Sequence, residues 1–382
     1  MTRRRAAQRL WAFVIDNSVL LVAGTATALV WANLAGASYH RFAQSLHFVV
    51  NDVGMVFFFA LAAKEIIEAT LPGGALASPR EAAVPLLAAA GGMAVPAALY
   101  TIQTHAWRRP DLAAGWAVPC ATDIAFSYMA ARMIFRPTHP AIPFLLLLAI
   151  ADDALGLVLL ALFYPSAPLS MLSFAAFMIP ALGVSLWLKR RRTQSFWPYV
   201  ASGGALSWAA LFFGGVHPAL ALVPILPFMP RARRDLGLFD ERERRRDDTL
   251  DRFEHWWRVP VQIVLFFFGL VNAGVAFSGV GPGTWIVLSS LVLGKPLGIV
   301  GLTFLGIQGG LRAPGGLGYA DTLVLGTAAG IGFTVALFFA TAAFPAGPSL
   351  DEVKMGALFS FAVAPLAIGL GRLVGSGQLS ST

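Results

Sequence analysis

Long apolar runs separated by short polar turns make up most of this chain. A helix that crosses a bilayer needs about 20 mostly apolar residues. Twelve such runs can be read along the sequence, at 10–33, 47–63, 83–104, 112–134, 141–163, 168–188, 197–211, 214–229, 257–279, 284–306, 321–343 and 353–375. The seventh and eighth are short and meet at Gly214 and Gly215, which predicts either a tight hairpin or one re-entrant element. The basic stretch Met1 to Arg9 leads into a run of spanning length with no clear cleavage site, so no cleavable signal peptide is expected. One long polar stretch, RARRDLGLFDERERRRDDTLDRFE from Arg231 to Glu254, interrupts the pattern. It divides the chain into spans one to eight (1–230), a charged linker (231–256) and spans nine to twelve (257–382). With both charge signs interleaved, the linker reads as a solvated, partly helical segment. A regulatory or anionic-lipid-contacting role is the alternative, weakened by the many acids. The pattern as a whole predicts an all-α polytopic membrane protein.

Composition agrees. Of 382 residues, 57% are apolar and only 13% charged, against about 25% in an average soluble domain. Mean hydropathy is +0.70. These values exclude a disordered chain and leave too few polar residues to coat a water-facing enzyme. The single cysteine, Cys120, excludes a disulfide framework and a multi-cysteine zinc or iron–sulfur site. The net charge of +8 would suit a nucleic-acid binder, but its distribution suits a membrane protein better. With twelve spans both termini lie on one side. Nearly all 28 Lys and Arg fall on that side, from Arg3 through the linker arginines to Arg372. The other side holds Arg41, Arg108, Arg109 and Lys354, and Lys295 falls inside a span. Basic residues collect in cytoplasmic loops, so both termini are expected in the cytoplasm and no nucleic-acid partner is expected.

The informative residues are the charges inside apolar runs. Asp123, the adjacent pair Asp152–Asp153, and Lys295 each lie near the centre of a predicted span. A charge there costs about 2.5–3.5 kcal/mol on insertion scales, so four unpaired ones would cost on the order of 10 kcal/mol. They must face each other, a bound ion or water. A purely structural pairing of Lys295 with one aspartate would still leave two acids. Helix neighbours point about 100° apart, so Asp152 and Asp153 can border one cavity without touching. Crowded carboxylates repel, which favours release and uptake of protons near physiological pH. They are also hard oxygen ligands suited to small hard cations. A cluster that takes either protons or such a cation is the chemical core of a proton-coupled cation exchanger.

Two spans also look broken. In the fourth, Pro119 precedes Thr122 and Asp123; proline removes a helical hydrogen bond, and Thr or Asp caps a new half-helix. In the eleventh, Gly326, Gly330 and Gly332 permit unwinding at the middle. The interruptions sit in the middle of spans three to five and ten to twelve, triplets of opposite orientation. Interrupted helices at matching places of inverted repeats point to a transport site at the midplane.

Here the chain resembles the bacterial NhaA-type sodium/proton antiporter family. The resemblance is carried by VVNDVGMVFFFAL (49–61), AAVPLLAAAGGMAVPAALY (82–100), ATDIAF (121–126), AIADDALG (149–156), GGVHPALA (214–221), FFFGLVNAGVAF (266–277), LGKPLGI (293–299) and AGIGFTVALFF (329–339). It implies that Asp152 and Asp153 bind the cation and protons. It implies that Lys295 pairs with Asp152 and is released on cation binding. Asp123, with Thr122, would offset the half-helix dipoles where the broken helices cross and contribute to the site. His217 matches a histidine tied to the family's pH response, and Asn272 would tune packing or the funnel. There are departures. Lys64 stands where an acid is expected, with Glu65 and Glu68 nearby, and the linker is longer and more arginine-rich. Lys64, Glu65, Glu68, His217 and His255 are the candidates for pH sensing.

The expected function is electrogenic exchange of Na+ or Li+ for protons by alternating access. No enzyme activity and no cofactor are expected; there is no G-x-x-x-x-G-K-[ST] string for ATP. The resemblance further implies a bacterial inner-membrane location and a homodimer in the lipid bilayer. A transporter of the same architecture for another substrate is the main rival, but an organic anion would favour basic residues over three central aspartates. An intramembrane aspartyl hydrolase using Asp123 and Asp152 leaves Lys295 without a role. In a passive cation channel a buried lysine would repel the permeant ion.

Overall fold

The computed structural model describes residues 18–74, 76–231, 248–312 and 315–375. Among these, all regular elements are helical. In chain order they are α1 (Val19–Phe48), α2 (Met55–Ala69), α3 (Pro79–Ala106), α4 (Ile124–Ile134), α5 (Ala141–Phe163), α6 (Met171–Arg190) and α7 (Ala205–Gly214). After the linker come α8 (Thr249–Asn272), α9 (Pro282–Ser289), α10 (Lys295–Gln308), α11 (Tyr319–Ala328), α12 (Phe333–Ala343), α13 (Pro348–Phe359) and α14 (Val363–Val374). Widened π-turns join α1 to α2 (Val49–Gly54) and α9 to α10 (Ser290–Gly294), and a third precedes α7 (Tyr199–Gly204).

By length and composition, six helical segments among the described residues can cross a membrane, and up to seven if the bent pair α11 and α12 is one span. The sequence pattern divides these residues more finely. The stretch between the first two expected spans is itself helical: α1 breaks only at Ala35 (φ −147°, ψ 57°) and the helical run continues to Ala69. The expected run 214–229 is not a spanning helix. Gly215 turns the chain in the left-handed region (φ 86°), and the residues beyond it form only the 3₁₀ turns Pro218–Leu220 and Leu226–Phe228. Pro218, Pro224, Pro227 and Pro230 withhold the backbone donors a longer helix needs. Residues 10–17 of the first expected span, the basic residues before them and linker residues 232–247 lie outside the described residues. The last eight linker residues, 249–256, are the first turns of α8.

The chain forms two compact units, each assembled from segments distant in sequence. One gathers residues up to Ala28, Ala37–Ala77 and Leu157–Val271; the other gathers Leu29–Gly36, Ser78–Gly156 and the residues from Asn272 on. In the first, α1 and α8 approach through small residues: a methyl at Gly24 would lie 2.1 Å from the Phe266 carbonyl oxygen. Tyr39 donates to the Val271 carbonyl at 3.0 Å, and Trp208 Nε1 to the Asp52 carbonyl at 2.7 Å. In the second, α3 and α10 touch backbone to backbone, for a methyl at Gly298 would lie 2.0 Å from the Gly91 carbonyl oxygen. Small residues let membrane helices approach closely enough for dispersion and polar contacts to hold them, since lipid offers no hydrophobic drive between helices. The second unit carries the buried Asp123, Asp152 and Lys295.

Candidate functional site

Two backbone breaks build the site. The 3₁₀ stretch Pro110–Cys120 ends at Ala121 in an extended conformation, and α4 starts only at Ile124. In the other span, α11 ends at Ala328 and α12 starts at Phe333, bent by 54° across the glycine-rich gap. The two gaps meet. The Asp123 amide donates to the Ile331 carbonyl at 2.7 Å, and a methyl at Gly332 would sit 3.0 Å from the Ala121 carbonyl oxygen. Unwound backbone at membrane depth is tolerated only where protein or a cavity replaces the lost hydrogen bonds, and the crossing supplies some of them.

Asp123 caps both half-helices. Its Oδ1 lies 3.5 Å from the Phe126 amide in the first turn of α4. Its Oδ2 accepts from the Thr334 amide at 3.1 Å and from the Thr334 hydroxyl, in the first turn of α12. A carboxylate at two helix N-termini satisfies orphan donors and offsets both positive dipole ends. Thr334 is absent from the sequence-derived candidates; the only signal for it was a hydroxyl residue just after a glycine break.

Beside this crossing, Lys295 enters from the start of α10. Its ammonium donates to Asp152 Oδ2 at 2.9 Å, Thr122 Oγ1 at 2.7 Å and the Cys120 carbonyl at 2.5 Å. Thr122 in turn donates to Asp152 Oδ2 at 2.6 Å. The lysine is fully buried and the Asp152 side chain is 2% exposed. Of the lysine's other two acceptors, Thr122 lies in the unwound gap and Cys120 is the last residue of the 3₁₀ stretch before it. The Cys120 carbonyl is free of intrahelical bonding because the helix is broken there, which no side-chain pattern could reveal. Asp152 Oδ1 is buried and makes no hydrogen bond. A buried, unpaired carboxylate oxygen is costly unless a proton or cation comes to it. Asp153 follows on α5 and is half-buried. Thus Thr122, Asp152 and Lys295 are brought into direct contact, Asp123 holds the adjoining crossing, and Asp153 stands one helix position away.

The candidates for pH sensing lie in the first unit, and Asn272 opens the last segment of the second. Lys64, buried on α2, ion-pairs with Glu68 on its own helix and with Glu254 on α8, and lies 3.6 Å from Asp251. Sequence reading placed Glu254 and Asp251 in the linker and did not foresee either contact. Burial and the neighbouring Asp248 push the Asp251 carboxyl above its usual range. Glu65 and His255 are exposed. His217 is buried at the head of the turn Pro218–Leu220, where its Nδ1 accepts from the Ala219 amide at 3.3 Å. Asn272, at the end of α8, is fully buried.

An all-helical, multi-pass membrane protein with a buried lysine–aspartate pair beside two crossed, broken helices has the frame of an ion-coupled transporter. The chain belongs to the Na+/H+ antiporter 1 family, whose model matches residues 12–371. It is 46% identical over 369 residues to the Na(+)/H(+) antiporter NhaA of Geotalea uraniireducens (strain Rf4), covering 94% of this chain and 95% of that one. It is 44% identical over 383 residues to NhaA of Desulfitobacterium hafniense (strain DSM 10664 / DCB-2), covering 97% of each. Its fold is shared with the sodium proton antiporter MjNhaP1 from Methanocaldococcus jannaschii, solved at pH 8, with a TM-score of 0.53 at 14% identity over 94% of this chain and 92% of that one.

Proposed function

We propose that the protein exchanges Na+ or Li+ for protons across a bacterial inner membrane, electrogenically and by alternating access. In this reading both termini are cytoplasmic, the triplets of spans around the two breaks are inverted repeats, and the protein works as a homodimer. The observation that carries the reading is the divided state of Asp152. One oxygen is held by Lys295 and Thr122, while the other is buried without a partner. A small hard cation fits the second oxygen, with Asp153 as a further carboxylate. Its arrival weakens the hold of Lys295 on Asp152, because two cations then share one carboxylate. The ammonium can give up its proton as the cation binds and regain one when the cation leaves. Protons and cation therefore compete for the same groups, which couples their movements. If more than one proton moves per cation, each cycle carries net charge, and the membrane potential contributes about 2.3 kcal/mol per charge per 100 mV. The Lys64 cluster and His217 are the groups through which pH would adjust this cycle.

Inside-out vesicles from antiporter-deficient bacteria test the reading. With a respiration-generated pH gradient, NaCl and LiCl but not KCl dissipate the gradient for the wild type across pH 6.5–9. The Asp152→Asn variant, at matched membrane levels, loses the response. No response of the wild type to any cation would overturn the proposal.

A further inference from the structure

Lys295 reaches Asp152 only because of the way its helix begins. Between α9 and α10 the backbone widens into the π-turn Ser290–Gly294, and Lys295 is the first residue beyond it. A π-turn holds one residue more than an α-turn, so everything after it is rotated by about 100° relative to an uninterrupted α-helix. Without the extra residue, the side chain at 295 would leave the helix on a different face from the one that meets Thr122 and the Cys120 carbonyl. The lysine's direction is therefore set by the wide turn, and the wide turn needs something to hold it, because π-helical hydrogen bonding is rarely the favoured local state.

Helix α3 holds it at both ends. At the far end, Gly294 lies against Pro96, where a methyl would come within 2.7 Å of the Pro96 Cα. At the near end stands Gln103, whose amide is shared between two neighbouring serines. Its Oε1 accepts from Ser289 Oγ at 2.7 Å, and its Nε2 donates to Ser290 Oγ at 3.2 Å. Ser289 is the last residue of α9 and Ser290 the first of the wide turn. Ser290 is fully buried. An amide and two hydroxyls bond one another at the start of the turn that aims Lys295, and the Ser289 hydroxyl also reaches the Ile286 carbonyl of its own turn at 3.2 Å.

We propose that Gln103 is a positioning residue for Lys295: by bridging Ser289 and Ser290 it fixes the wide turn whose rotation points the lysine at Asp152. The proposal rests on the exchange reading only for its transport readout. Lys295 is faced by Asp152 on α5, by Thr122 in the unwound gap and by the Cys120 carbonyl just before it.

Gln103→Leu keeps the bulk and removes both hydrogen bonds; Ser289→Ala and Ser290→Ala each remove one. With the ammonium turned away, Asp152 loses its adjacent positive charge. In inside-out vesicles the pH of half-maximal Na+ exchange for Gln103→Leu then rises by about one unit, the order expected for loss of an adjacent opposite charge. The serine variants shift in the same direction by less. The second readout needs no transport. In purified protein, the melting temperatures of Gln103→Leu, Lys295→Ala and the double variant form a cycle. Because Gln103 acts through Lys295, the loss in the double variant is smaller than the sum of the two single losses. An unshifted pH profile in all three single variants, or additive melting losses, would overturn the proposal. If Gln103→Leu does not fold, the serine variants decide alone. A wild type that exchanges no cation would defeat the exchange reading, while the melting cycle would still report on Gln103.

Discussion

Lys295 and Lys64 are both buried lysines tied to carboxylates, and their surroundings are opposite. Lys295 ion-pairs with Asp152, and the two side chains are 0% and 2% exposed. Its remaining hydrogen bonds go to a hydroxyl and a main-chain carbonyl exposed by a helix break. Lys64 meets three acids, Glu68, Asp251 and Glu254, whose side chains are 32%, 50% and 42% exposed. The first arrangement is closed to solvent, so any change in one partner is felt by the other. The second has excess acid and solvent within reach, so it can lose a member and rehydrate. The proposed exchange site is of the first kind. A clasp between two helices, here α2 and α8, can be built the second way.

The comparison can be broken most directly at Lys295. Lys295→Met leaves Asp152 buried and unpaired, and breaking a buried pair from one side costs about 3–5 kcal/mol. Thermal unfolding in detergent should register that loss at neutral pH. Adding Asp152→Asn to Lys295→Met should recover most of it, because no charge is then left unpaired. Recovery failing in the double variant would mean that Lys295 contributes by packing and not by pairing.

Lys64→Met should be milder, about 1 kcal/mol or less, since its partners are partly solvated and exposed pairs are worth little. Salt separates the two lysines further. Raising choline chloride from 0.1 to 1 M shortens the screening distance from about 10 Å to about 3 Å. The stability gap between wild type and Lys64→Met should narrow, and the gap for Lys295→Met should not. Equal narrowing at both would erase the distinction between a sealed pair and a wet cluster.

An arginine-centred cluster extends the series toward the surface. Arg109 holds Glu352 through two bonds of 3.1 Å and Asp111 through bonds of 2.9 and 2.8 Å. Glu352 also accepts from the Gly283 amide at 2.6 Å, tying α13 to the start of α9. Hydrogen bonds from Arg109 hold the Asp111 carboxyl down from its ordinary 3.8 to about 2. A carboxyl lowered by folding stabilises the folded state above its unfolded value, and that contribution fades as pH falls from about 4 to about 2. Asp111→Asn should therefore flatten the acid side of the stability curve in that window and change little at neutral pH. The effect should be the smallest of the three, because Asp111 is nearly half exposed. An unchanged acid limb would show that the Arg109 contact is lost in solution.

Much of the site could be read along the chain because lipid makes charge conspicuous. Asp123, Asp152, Asp153 and Lys295 stand out in apolar runs whatever the fold, since each costs free energy there unless it is used. Pro119 with Asp123, and the glycines around Gly330, announce the breaks by their own backbone chemistry. The partners that stayed hidden have no local signal. Thr334 reaches Asp123 across 211 positions, Gln103 reaches Ser289 across 186, and Glu254 reaches Lys64 across 190. Each is an ordinary residue in its own segment.

The linear pattern was enough to show a helical membrane protein with four charges placed where lipid forbids them, and two spans that break. Periodicity, run length and the cost of burying charge are local properties, so they are written in the order of the residues. Packing decided which aspartate the lysine meets, which oxygen stays open and which carbonyl and amide hold the arrangement in place. It also decided that 214–229 turns instead of crossing, and that the linker's last residues become helix and clasp Lys64. Those outcomes depend on distances between segments that the chain brings together only when it packs, and on a one-residue widening of backbone that leaves no mark in the pattern of side chains.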